Sequence, residues 1–215
     1  MSSANRKAQA AERRARIEAM RRADQARERR SKIITWGAVA VISAATLGGG
    51  WYLWYSTEQD EQAAAAARKA TVEGVETWAD LSQTHTTEPV DYAMSPAAGG
   101  DHHPAWLACD AKVYEEEVSE EQAVHSLEHG AVWITYNDQA ADGDIKALTD
   151  RVAATPYTFL SPYADQEDPV VLTAWGHQLA VDDADDPRVE QFLLKYVQGE
   201  QTPEPGATCA SGSMP

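Results

Sequence analysis

Beyond residue 32 the chain has little positive charge. Residues 1–32 hold eleven of the 18 Lys and Arg against four acidic residues, leaving seven basic and thirty acidic residues for the rest. A region of net charge −23 has no basic patch for phosphates, so nucleic acid is excluded as a partner. Such a balance serves solubility or tolerance of salt, or draws in cations. Cysteine is nearly absent. Cys109 and Cys209 stand alone, and neither has a second thiol close by for a thiolate metal pair. No internal repeat is visible. At 215 residues the chain has room for one domain with a real core plus extra segments.

One long uncharged run is present. Residues 33–55, IITWGAVAVISAATLGGGWYLWY, span 23 positions without a charge. At about 1.5 Å per residue this crosses a roughly 30 Å hydrocarbon layer. Trp36 at one end, and Trp51, Tyr52, Trp54 and Tyr55 at the other, fit interfacial aromatic belts. A cleaved signal peptide is the competing reading, weakened by the long segment before the run and the tryptophans where a cleavage site belongs. The excess of Arg and Lys before the run puts residues 1–32 in the cytoplasm as a basic stub, fluctuating or disordered, beside anionic lipid. The expected localisation is therefore a single-pass cell-membrane protein with its domain outside. Residues 56–71 are strong helix formers and read as a stalk. The folded extracytoplasmic domain then occupies residues 72–215.

Within that domain the pattern predicts an α+β fold. Residues 119–136, SEEQAVHSLEHGAVWITY, read as a short helix running into a buried strand. Ser119 and Gln122 form a capping-box pattern, and Gly130 sits where a left-handed residue ends a helix. Ile145, Leu148 and Val152 share helical spacing. Residues 169–175 suit a buried strand, which Gly176 and His177 then interrupt. Asp186 as N-cap and Pro187 at the first helical position open a helix carrying Val189, Phe192, Leu193, Tyr196 and Val197. The loop from residue 88 to 106 exceeds a simple connection, a mark of functional loops. In an oxidising compartment Cys109 and Cys209 are expected to form a disulfide rather than remain free thiols. It would close a loop of about a hundred residues, worth about 4.7 kcal/mol in the chain-entropy model.

All six histidines lie in the outer domain. His125, Glu128 and His129 fall on one helix face, and imidazoles four apart chelate one metal ion. Glu128 is then a third ligand, an acceptor for an imidazole N–H, or a base. Without a metal the trio is only a charged pair on a polar face. Ala123, Val124 and Leu127 turn away from it, so the trio faces either solvent or a cleft.

VHSLEHGAVWITY, GGDHHPAW before it, the stretch with Cys109, Val113 and Tyr114, LTAWG at 172–176 and PEPGATC ending at Cys209 together resemble an actinobacterial family, domain of unknown function 3105. The resemblance covers residues 85–209. It implies a membrane-anchored protein and no established activity. Its histidine pattern falls on His85, His102, His125, Glu128 and His129, and leaves out His103 and His177. Ala97 departs from it, since a second proline is usual there. The resemblance and the chemistry converge on His102, carried by a loop that Gly99 and Gly100 let turn tightly. That loop delivers it toward His125 and His129, with His85 as a fourth nitrogen. Such ligands outside the cytoplasm suit copper or zinc. Met94 would favour copper(I), although Met94 and Trp106 also read as packing.

Three functions compete. The first is metal binding, serving an envelope metalloenzyme or a respiratory complex. The second is a non-metal accessory or interaction subunit. The third is a zinc peptidase of the His-x-x-Glu-His type, with Glu128 as base and Glu190, Glu200 or Glu204 as a distant ligand.

Overall fold

The computed structural model describes residues 3–213. It divides into two compact units, Met1–Glu61 and Gln62–Pro215. No proline precedes Pro89, so nothing breaks the first helix, α1, which runs Ser3–Lys69 through the stub, the apolar run and most of the stalk. Over Arg16–Gln59 it is long and apolar enough to cross a membrane. Its large apolar side chains have little protein around them, and Ile33, Trp36, Leu47, Trp51 and Tyr52 all stand exposed.

The second unit is a mixed helix-and-sheet domain. Its elements are β1 (Glu76–Thr77), β2 (Lys112–Val113), α2 (Glu120–Glu128), β3 (Val132–Tyr136), α3 (Asp142–Ala154), β4 (Thr158–Pro162), β5 (Val170–Ala174), β6 (His177–Val181) and α4 (Pro187–Tyr196). One sheet takes the order β1-β6-β5-β3-β4-β2. β3 and β4 are parallel, as a crossover through α3 requires, and β4 also pairs in parallel with β2. The remaining pairs are antiparallel.

Alternation along the strands builds two cores, because successive side chains leave opposite faces. Val132, Ile134 and Leu160 point to one face and pack with Leu148 and Val152 of α3 and Val189, Phe192, Leu193 and Tyr196 of α4. Val72 is buried in the same core. Trp133 and Phe159 point to the other face, where they stack with ring centroids 5.8 Å apart and planes 6° off parallel. There they join Leu107, Ala123, Val124 and Leu127 and the Cys109–Cys209 disulfide.

Four strands escape the sequence reading: the two-residue β1 and β2, and the longer β4 and β6. Gly176 and His177 do not interrupt β5. Gly176, at φ +68°, makes the tight turn that sends the chain back as β6, and a Cβ there would meet the Trp78 carbonyl oxygen at 2.8 Å. β4 was hidden by its serine and proline, yet its first four residues are buried. The predicted disulfide is present, with Cα atoms 4.8 Å apart. α4 has the expected start, where the Asp186 carboxylate accepts from the Arg188 backbone N–H at 2.8 Å.

Candidate metal centre

Helix α2 sets the orientation of the cluster, and both its ends are fixed locally. The Ser119 hydroxyl oxygen accepts from the Gln122 N–H at 3.3 Å. The Gln122 carboxamide turns to the Ser213 hydroxyl at 2.8 Å, so only half of the capping box forms. At the other end Gly130 adopts φ +88°, its N–H donates to Leu127 O at 2.9 Å, and the Ala131 N–H reaches Ser126 O at 3.1 Å. That paired pattern is a Schellman motif, and it stops the helix at His129. His125, Glu128 and His129 face a packed interior rather than solvent, at 5%, 2% and 4% exposure.

Three rings are tied off in the same way. His102 Nδ1 donates to Gly100 O at 2.8 Å, His125 Nδ1 to His103 O at 2.7 Å, and His129 Nδ1 to Thr208 O at 2.9 Å. A carbonyl oxygen can only accept, so each Nδ1 carries a hydrogen and each Nε2 is the nitrogen left for other work. Such backbone anchoring is how metal-ligating histidines are held. Gly99 and Gly100 both have positive φ in the loop that brings in His102. That segment is clamped to the one bearing His85, with Thr86 N–H to His102 O at 2.7 Å and His102 N–H to Thr84 O at 3.0 Å.

His85, His102, His125 and Glu128 come together, each offering a ligand atom within 4.8 Å of the others. His102 Nε2 lies 2.9 Å and His85 Nε2 3.7 Å from Glu128 Oε2. His129 is not one of the four. Its ring centroid is 4.7 Å from that of His125, but its Nε2 points to Glu204 Oε2 at 3.7 Å. Trp106 packs against both helix histidines, with ring centroids at 5.7 and 5.0 Å, and its buried indole N–H has no hydrogen-bond partner among the described residues.

The charges follow from these contacts. Burial favours neutral His102, but the hydrogen bond and charge of Glu128, with the Gly100 carbonyl, outweigh it and raise its pKa. Burial likewise works against an ionised Glu128, yet the His102 hydrogen bond and the surrounding imidazoles hold it below the usual carboxylate range. Both shifts favour the charged forms, so the 2.9 Å His102–Glu128 contact is an ion pair whenever His102 is protonated. His125 goes the other way: burial, reinforced by the neighbouring imidazoles, lowers it to about 4 despite its bond to the His103 carbonyl.

The other candidates lie elsewhere. Met94 lines a different cleft, with Glu76, Trp78 and Asp168. His103 accepts from the Ala105 N–H through Nδ1, and His177 donates to Trp175 O and packs on Tyr196. The Ala97 N–H donates to Glu120 Oε1 at 2.9 Å, a bond for which a proline has no hydrogen. Glu204 entered the sequence reading only as a peptidase option. The signal for its position was Cys209, whose bond to Cys109 returns the preceding loop to this face.

Residues 83–211 match the model of a family described as "Protein of unknown function (DUF3105)". The chain belongs to that family. The part matching DUF3105 contains the whole cluster, from His85 through Glu204, together with both cysteines. No curated protein and no solved structure matches this DUF3105 chain.

Proposed function

We propose that this is a membrane-anchored protein whose outer domain binds one divalent transition-metal ion, zinc or copper(II). The ligands are His102 and His125 through Nε2, a ring nitrogen of His85 and a carboxylate oxygen of Glu128. The observation that carries the reading is the convergence of these four ligand atoms within 4.8 Å, with two of the rings already anchored through Nδ1. Donors about 2.0–2.1 Å from a tetrahedral ion lie about 3.3 Å from one another, so binding draws the cluster together. His85 has the freedom to close the gap, its side chain being 46% exposed.

Nitrogen and carboxylate donors suit zinc or copper(II). Copper(I) is disfavoured, because Met94 lies in another cleft and no sulfur joins the cluster. The proton shared by His102 and Glu128 occupies the place the ion takes, so binding releases about one proton. An interaction module whose histidines serve only as hydrogen-bonded supports accounts less well for His125 Nε2, which makes no hydrogen bond among the described residues. A peptidase needs its glutamate turned to a water on the ion, whereas the Glu128 carboxylate is engaged by His102.

Helix α1 anchors the protein, with residues 1–32 in the cytoplasm and the acidic domain outside, where a disulfide persists. The ion's recipient is an envelope metalloenzyme or a respiratory complex in the same membrane. Protein purified without a His tag, titrated with zinc or copper(II), should bind about one tight equivalent. His125→Ala should abolish it and His177→Ala should not. A folded wild-type domain that takes up neither ion overturns the reading. A C-terminal reporter active only in the cytoplasm would overturn the orientation.

A further inference from the structure

His129 was expected in the same ligand set as His125, and its geometry gives it a different neighbour. Its Nδ1–H is held by Thr208 O, which leaves Nε2 free, and the nearest carboxylate is Glu204, not Glu128. Glu204 is 52% exposed at its side chain, whereas Glu128 is 3% exposed. The loop carrying Glu204 is a built element rather than a loose tail. The Glu204 N–H donates to Glu128 O at 3.1 Å, and the Gln198 side chain holds both His129 O and the Gly206 N–H. The disulfide pins the loop at Cys209, where the Cys109 N–H also donates to Cys209 O at 3.0 Å.

From this arrangement we infer that His129 and Glu204 form a second, solvent-open position for the same class of divalent transition ion, adjoining the inner cluster through His125; the inference rests on the metal reading above. Two protein ligands leave the rest of a four-coordinate shell to water or to ligands of an incoming carrier, and open positions are what ligand exchange needs. The indole N–H of Trp106, packed against the His129 ring and without a hydrogen-bond partner among the described residues, is a donor for such an oxygen. The His125 ring stands between the two positions, its centroid 4.7 Å from His129 and 4.8 and 5.0 Å from His85 and His102. An ion held at His129 and Glu204 therefore lies beside the inner site, with His125 as the first inner ligand within its reach. The outer position accepts or hands on the ion, and the inner one stores it.

The test uses the full chain in detergent, with zinc alone and with copper(II) alone as probes. Titration should resolve one tight and one weaker equivalent. Glu204→Gln changes a half-exposed side chain and keeps its shape, so folding is not at risk. It should weaken the second equivalent by more than about tenfold, because losing a direct ligand costs more than losing a supporting group, whose range begins there. It should also slow loading of the inner site from a zinc chelate, while the tight equivalent keeps its affinity. His129→Gln should do the same. Tight binding of one equivalent, with loading rate and stoichiometry unchanged in both variants, overturns this inference and leaves the metal reading standing. No bound ion in the wild type overturns both.

Discussion

The two faces of the sheet are built on different principles. Against α3 and α4 the core is chiefly aliphatic and aromatic, with Ile134, Leu148, Leu172 and Phe192 fully buried and the buried Thr158 hydroxyl satisfied by the Thr155 carbonyl at 2.6 Å. Against α2 the same sheet buries His102, His125, Ser126, Glu128 and His129 among Trp133, Phe159 and the disulfide. Burying polar and charged groups costs free energy unless each is hydrogen-bonded or paired. That face meets the cost with an ion pair, three carbonyl anchors and a covalent cross-link. The aliphatic face supplies stability by burial, and the polar face spends part of it on a preorganised site.

Four variants or conditions sharpen this contrast. The largest effect belongs to the aliphatic face. Phe192→Ala should cost about 3–5 kcal/mol in urea unfolding and leave metal stoichiometry intact in the protein that remains folded. Replacing both cysteines by alanine should cost about 2–5 kcal/mol. Unlike Phe192→Ala, it should also loosen the loop that carries Thr208 and Glu204, and a metal titration of the same sample would detect that. Glu128→Gln comes third, at about 1–3 kcal/mol, since it leaves His102 without its counter-charge. The inner metal affinity should fall with it. Equal stability in wild type and Glu128→Gln would mean that the ion pair contributes nothing to the polar face.

The smallest effect is a pH dependence confined to the polar face. Below its ordinary 6.5 an unfolded histidine takes a proton that folded His125 refuses until about pH 4. The stability due to His125 is therefore whole above 6.5 and lost as pH falls toward 4. Glu128, with its lowered pKa, adds a further loss at lower pH. His102 acts oppositely: its raised pKa gives stability that is whole below 6.5 and lost as pH rises through its folded value. The thermal midpoint of the metal-free protein should thus fall on acidification below about pH 6.5, and His125→Ala should flatten that fall. Metal affinity should also decline with acid, because protons compete for the ring nitrogens.

Much of the scaffold around the site was legible because its signals are local. The cap at Ser119, the stop at Gly130, the apolar run after it, and Asp186 with Pro187 depend on residues within one or two turns of each other. The partnership of His125 with Glu128 was legible for the same reason. His85 and His102 needed the family resemblance, since nothing in their spacing ties them to α2; the loop pairing that brings them there is long-range. Burial of the trio was illegible, because a three-residue polar face looks the same whether a loop covers it or water does. β6 was missed because its turn takes a single glycine, and its half-exposed first residues lack an apolar run. Glu204 was missed as a partner of His129 because its position depends on a cross-link a hundred residues in span.

The C-terminal loop also has a consequence for the order in which the molecule is made. Synthesis runs from the N-terminus, so His85, His102, His125 and Glu128 exist well before Thr208 and Cys209. Until those last residues arrive, His129 has no carbonyl to fix its ring, and no disulfide holds Glu204 beside it. A half-made chain therefore owns the four-residue cluster but not the finished frame. Completion waits for oxidation of Cys109 with Cys209. The frame around His129 is thus the last part of this face to be finished, after the four-residue cluster beside it is already made.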